Sequence, residues 1–345
     1  MLFAGLDPWQ PESANRAEGN RPIGLSNRTR PLSCEMFWFC ARLRCCTLIA
    51  RCLEDRTLMK KRHFQLGHHL VAFLDVLGQR DRFRGLHHPR NPQEAATVGE
   101  VLRQTAGFVL DLRKAFDQQI KNFEAGCTNV KRHTKKHVRP KFVGFSDSFV
   151  MSVPLRNDGG DLVPIVTVFS ALSAAAVVML MSLASKHPLR GGIDVGLATE
   201  IGPQEIYGAA LESAYLLESK EARYPRIVIG DELWRYFNAA LVNFREQTTP
   251  VARSITAITQ RMMGLFATDG DGKRILDYLG QTMVEHAGAG GGHKEHLVAP
   301  TYEFVLAEQK RIVAGKNADL VDRYVAFRSY VESRLPLWGL EVKKD

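Results

Sequence analysis

From residue 68 onward, short apolar runs alternate with stretches of helical periodicity. Leu70-Val-Ala-Phe-Leu leads into Asp75 and predicts a buried strand over about 68–77. Val98, Val101, Leu102, Phe108, Val109, Leu112, Phe116, Ile120 and Phe123 recur at three- and four-residue spacing, which predicts a long amphipathic helix over about 94–124. Phe142-Val-Gly-Phe-Ser-Asp-Ser-Phe-Val150 sets a small polar step between two apolar runs and predicts a β-hairpin whose turn carries Asp147. The uncharged stretch over 162–185 is long enough to cross a bilayer. Pro164, Thr167, Ser170, Ser173 and Ser182 dilute it and alanines fill its centre, so a helix buried beneath a sheet is expected instead. Leu189 to Ala198 reads as a strand, Ile206 to Lys220 as a helix, and Ile227-Val-Ile-Gly230 as a short buried strand. Asp231 and Glu232 are expected to cap a helix reaching about 244.

The resulting order, β, α, β-hairpin, α, β, α, β, α, predicts the α/β class: an α+β sandwich with helices packed on a central sheet. The texture changes beyond 250. Thr268-Asp-Gly-Asp-Gly-Lys273 predicts a turn, with a strand near Leu276, Tyr278 and Leu279. A glycine-rich loop over 287–292 is flanked by His286, His293 and His296, which are expected to be solvated. A pair of amphipathic helices fills 302–335. Three segments are therefore expected: an extension over 1–58, an α/β domain over 59–249, and a β-turn and helical extension over 250–345. Met59-Lys-Lys-Arg looks like a natural start, so 1–58 reads as a mis-assigned start or a dispensable segment.

Composition narrows the partners. With 345 residues, 45% of them hydrophobic, the chain can bury one large core or two modest ones. A net charge of +9 suggests an anionic ligand. The densest basic run, Lys131 to Lys141, has no interleaved aromatic for base stacking and reads as a solvated loop, so no nucleic-acid partner is expected. Five of the six cysteines, Cys34, Cys40, Cys45, Cys46 and Cys52, fall within the first 58 residues in no zinc-binding pattern. Together with the single distal Cys127, this fits a reducing, cytoplasmic setting. Arg42, Arg44 and Arg51 break the apolar run over 36–51, so no membrane span is expected there either.

The chemistry rests on two acids. Asp75 and Asp147 sit at strand ends where two carboxylates can share divalent cations, and the turn after the first strand offers backbone N–H groups to phosphates. Four pieces occur in order: Phe73-Leu-Asp-Val-Leu-Gly78, Phe145-Ser-Asp-Ser148, Arg190-Gly-Gly-Ile-Asp-Val-Gly196, and Tyr207-Gly-Ala-Ala-Leu-Glu-Ser-Ala214 leading to Ile227-Val-Ile-Gly230. Together they resemble the class III nucleotide cyclase catalytic domain over about 68–232, roughly half the chain. The resemblance implies a central mixed sheet. It also implies two manganese or magnesium ions per active site, held by Asp75, Asp147 and the main chain at Val76. Val76 to Gly78 would lie beside the triphosphate, and Val143, Glu205, Tyr207 and Glu212 would contact the substrate.

The departures from the family pattern carry information as well. Val143 stands where adenylyl cyclases have a base-reading Lys, and Glu205 where they have the base-reading Asp. Glu212 replaces the helix Asn, and Leu216 replaces the transition-state Arg, leaving Arg190, Lys220, Arg223 and Arg226 as cations that could take its place. Metal acids without adenine readers look like the pyrimidine cyclases of bacterial Pycsar antiphage systems. That resemblance implies a cytoplasmic homodimer with active sites at the subunit interface. Its substrate would be UTP, giving cyclic UMP, or CTP, giving cyclic CMP, and the product would act on a separate effector protein. A catalytically inactive nucleotide-binding regulator remains open. A diguanylate-cyclase-type enzyme is disfavoured, because its Gly-Gly-(Asp/Glu)-Glu-Phe hairpin is absent.

Overall fold

The computed structural model describes residues 66–126, 139–155, 165–201, 205–246, 249–287, 292–315 and 317–343. The chain divides into two units: Trp9–Phe64, and a second unit to which every described residue belongs. The expected extension over 1–58, most of the basic run over 131–141, the turn over 157–161 and the core of the glycine loop lie outside the described residues.

Strand β1 (Gly67–Val76) is followed by the short α1 (Gln79–Phe83) and by α2 (Pro92–Leu102). Asn91 caps α2 by accepting from the Glu94 amide, and Pro92 occupies a position where its missing N–H costs nothing. The helical run continues through a π-turn over Arg103–Gly107 into α3 (Phe108–Gly126), which matches the predicted long helix with one widened turn. The hairpin β2 (Lys141–Phe145) and β3 (Ser148–Pro154) comes next, then α4 (Ile165–Ala184) and β4 (Leu189–Glu200). Beyond these lie β5 (Ile206–Tyr207), α5 (Ala209–Leu216), a second π-turn (Leu217–Glu221), β6 (Ile227–Ile229) and α6 (Asp231–Arg245). The C-terminal part supplies α7 (Pro250–Met263), β7 (Phe266–Thr268), β8 (Arg274–Leu276), α8 (Gln281–Ala287), α9 (Ala299–Ala314) and α10 (Ala318–Arg334).

The α/β class expected from the sequence is what the chain adopts. Among the described residues eight strands form one mixed sheet in the order β2-β3-β1-β4-β6-β8-β7, with β5 paired to β4. Pairing is antiparallel except between β4 and β6, which α5 connects. Strand alternation divides the apolar residues between the two faces. Leu70, Ala72, Leu74 and Val76 of β1 enter the larger core with α3 and α4, while Val71 and Phe73 join a smaller cluster beneath α5. Every residue of α4 from Val166 to Leu180 is buried, so the stretch long enough to span a bilayer is spent on the core.

Helix α5 lies very close to β4 because Gly192 has no side chain. A Cβ there would stand 2.2 Å from the Ala214 carbonyl oxygen and 2.9 Å from the Glu218 nitrogen. Residues 250–345, expected as an extension, place β7 and β8 in the same sheet as β1 and β4.

Four expectations are corrected. Ile206 and Tyr207 form a strand on Thr199 and Glu200, and the helix starts only after Gly208. Neither Asp231 nor Glu232 caps α6. Its cap residue is Gly230, and the Leu233 amide donates instead to the buried Asp194 of β4 at 2.9 Å. The strand expected near Leu276, Tyr278 and Leu279 runs over Arg274–Leu276, so Tyr278 and Leu279 lie beyond it in the core. His286 is not solvated: its ring packs on Phe123 and Phe169, with centroids 5.5 and 5.2 Å apart.

Candidate active site

Three neighbouring strands bring one polar row together. In the register of the sheet Asp75 of β1 faces Ser148 of β3 on one side and Arg190 of β4 on the other. Alternation turns these positions away from the larger core, because Leu74 and Val76 point into it. The Ser148 hydroxyl donates to Asp75 Oδ1 at 2.7 Å, and Arg190 Nη2 stands 3.6 Å from Asp75 Oδ2.

Asp147 reaches this row through a two-residue turn. Ser146 takes a positive φ of 51°, in the region that tight hairpin turns demand and glycine fills most easily. The Val76 amide donates to the Asp147 carbonyl at 3.2 Å, which ties the hairpin tip to the end of β1. The two acids that the sequence singles out are therefore neighbours.

A third acid, absent from the sequence reading, completes the group. Glu218 lies in the second π-turn with its side chain 3% exposed, and its carboxylate forms an ion pair with Arg190 Nε. Burial pushes the Asp75 carboxyl above its usual value. The Ser148 hydroxyl and Arg190 pull it back, while the charge of Asp147 adds to the rise. Burial raises Glu218 too; Arg190 opposes the rise, and Asp75 and Asp147 add to it. Asp75 and Glu218 both pair with the one guanidinium of Arg190, and the charge of Asp147 acts on both acids. Ala210, Ala214 and Glu218 recur every four residues, so an acid on the buried stripe of a small-residue helix was the sequence signal for Glu218.

Hard carboxylate oxygens suit magnesium or manganese. Among the described residues no three His, Cys, Asp or Glu side chains gather into a self-contained metal cage. Two carboxylates completed by substrate phosphates and water are the usual donor set for magnesium, and Asp75 with Asp147 fits it.

The phosphate-cradling role expected of the turn after β1 is not supported at Val76 and Leu77. The Val76 amide is committed to Asp147, and the Leu77 amide donates to the Pro188 carbonyl at 2.8 Å. Gly78 adopts the left-handed conformation, φ 81°, ahead of α1.

The remaining candidates scatter. Val143 packs against the smaller apolar cluster that includes Ile206. Glu205 and Tyr207 are exposed beside the far end of β4, where Tyr207 pairs with Thr199. That is nine residues from Arg190, or about 30 Å along the strand. Glu212 is exposed in the first turn of α5.

Of the four candidate cations, only Arg190 contacts the acids. Lys220 is exposed, and Arg223 pairs with Asp319 of α10 at 3.7 Å. Arg226 is enclosed by Asp269 and Asp271, so its charge is already matched.

No protein-family model matches the chain, and no curated protein matches it. Among solved structures it is similar to one described as a class III adenylyl cyclase-like ATP-binding protein from Pseudomonas aeruginosa. The identity is 13% and the TM-score 0.30, over 56% of this chain and 40% of that one. The chain thus spans less than half the length of that protein.

Proposed function

We propose that this chain is a pyrimidine nucleotidyl cyclase of class III type, converting UTP to 3′,5′-cyclic UMP and pyrophosphate. The observation that carries the reading is the row Ser148–Asp75–Arg190 with Asp147 held beside it by the Val76 amide. Two acids able to hold cations and one cation able to meet phosphate charge support attack of a ribose 3′-hydroxyl on an α-phosphate. Asp75 and Asp147 would hold two divalent cations, manganese or magnesium, with the main chain at Val76. When bound, such ions lower the pKa of the hydroxyl and offset phosphate charge.

The chain's own residues do the rest. Ser148 fixes one oxygen of Asp75, so the carboxylate presents the other to the site. Arg190 faces the negative charge that the triphosphate brings. A bond forms between O3′ and the α-phosphorus, the bond to the bridging oxygen breaks, pyrophosphate leaves, and the hydroxyl proton is released.

Pyrimidine preference rests on Val143 and Glu205, which stand where purine readers are expected. UTP is preferred, with CTP giving cyclic CMP as the nearest alternative. The separation of about 30 Å between Arg190 and Tyr207 along β4 supports a homodimer, in which one copy's acids meet the other copy's base-reading positions. The product would act on a separate effector protein in antiphage signalling.

A second reading, an inactive nucleotide-binding regulator, is favoured by one observation: the Val76 and Leu77 amides are already bonded and not free for phosphate. Incubation with each of the four nucleoside triphosphates and manganese, followed by mass analysis, separates the two. Cyclic UMP or cyclic CMP is expected. Tight binding of a triphosphate without turnover would establish the regulator, and a cyclic purine product would overturn the base preference.

A further inference from the structure

Arg190 lies between two acids with different geometry. Glu218 forms an ion pair with it at Nε, while Asp75 lies 3.6 Å from Nη2. The guanidinium is a rigid planar fork, so an anchor at Nε fixes where its outer nitrogens point. Gly192 brings the Leu217–Glu221 turn down onto β4, which lets the Glu218 carboxylate reach Arg190 at Nε, next to the Nη2 that faces Asp75.

We propose that Glu218 is a positioning residue: it holds Arg190 off Asp75, keeping the second Asp75 oxygen open to a divalent cation and the guanidinium open to a phosphate. Its phosphate half rests on the cyclase reading given above, whereas its cation half does not. Without the carboxylate at 218, Arg190 is released to form a close bidentate pair with Asp75. That pair would compete with the cation for the same oxygens. Glu218 therefore acts on metal affinity through Arg190 without being a ligand.

The test is manganese binding, read by electron paramagnetic resonance of the free ion on full-length protein, alongside UTP kinetics. Glu218→Gln is expected to weaken manganese about tenfold, the usual size for a residue supporting a ligand, and to raise KM for UTP. Adding Arg190→Ala is expected to restore manganese affinity to at least the wild-type level while KM stays high. Should the Glu218→Gln variant fail to fold, Glu218→Asp withdraws the carboxylate by one methylene. It is expected to show the same pattern with a smaller loss.

Manganese that stays weak in the double variant would make Glu218 a ligand and overturn the proposal. So would Glu218 variants that bind manganese and UTP like wild type, or a wild-type chain that binds no manganese. A wild-type chain that follows the manganese pattern but turns over no triphosphate would sink the cyclase reading alone.

Discussion

Arg226 and Asp271 form an ion pair at the base of the β7–β8 turn, with Arg226 Nη2 2.6 Å from Asp271 Oδ2 and Arg226 itself 1% exposed. Its other terminal nitrogen is 2.5 Å from Asp269, and Nη2 also donates to the Glu221 carbonyl at 2.7 Å. The guanidinium lies over the Tyr224 ring, 4.6 Å from its centroid. This cluster ties the C-terminal hairpin to the end of the π-turn that carries Glu218.

Removing Arg226 would strand those acids, of which Asp269 is the more buried. Arg226→Met is expected to cost about 3 kcal/mol in urea denaturation, the usual size when one partner of a buried pair is lost. Asp271→Asn should cost less, since Asp271 is partly exposed and Arg226 keeps Asp269 and the Glu221 carbonyl. A loss below about 1 kcal/mol for Arg226→Met would show that the cluster does not secure the hairpin.

Ser146 carries a positive φ in the turn that presents Asp147. A left-handed non-glycine residue costs about 1–2 kcal/mol in the fold, while glycine costs about 0.4–1 kcal/mol through the unfolded chain. Ser146→Gly is therefore expected to be neutral or stabilising by up to about 1 kcal/mol, without loss of manganese binding. Clear destabilisation in a urea titration would mean the Ser146 side chain has a role in the turn that the geometry does not reveal.

His286 is held between Phe123 and Phe169, and burial lowers its pKa from 6.5 to about 4. The folded state thus prefers the neutral ring. Its contribution to stability is fully present above the unfolded value and is lost as pH falls towards 4. His286→Phe is expected to remove this acid sensitivity, so its gain in melting temperature over wild type should grow as pH drops from about 7 to about 5. An equal difference at both pH values would contradict the assignment.

How much of this was legible in the sequence depended on the range of the forces involved. The β1 strand, the hairpin and the buried α4 are set by local apolar pattern, and all three occur where that pattern places them. Asp75 and Asp147 stood out because an acid ending an apolar strand is locally unusual. The pairing of Ile206 with Glu200 is only two residues long and leaves no periodic trace. Asp194 takes over the capping of α6 from a strand far upstream, a contact that local rules cannot reveal. Glu218 left one local signal, its place on the stripe of Ala210 and Ala214, but no local rule turns it towards Arg190. Its role depends on Gly192 allowing a close approach and on a π-turn that widens the helix, neither of which changes the apolar pattern.

On the proposed reading Asp75 serves the site and not the fold. Burial raises its pKa, so the stability it lends is full below its unfolded value and is lost as pH rises through the folded one. The charged carboxylate is therefore a burden on the fold at about pH 8, and Asp75→Asn should melt no lower than wild type there. The most direct measurement is cyclic UMP formation from UTP with manganese at that pH, for wild type and for Asp75→Asn, with melting temperatures recorded on the same samples. Product is expected from wild type, with a loss of at least about a hundredfold in an intact variant. Undiminished product from Asp75→Asn, or no cyclic nucleotide from folded wild type, would contradict that reading.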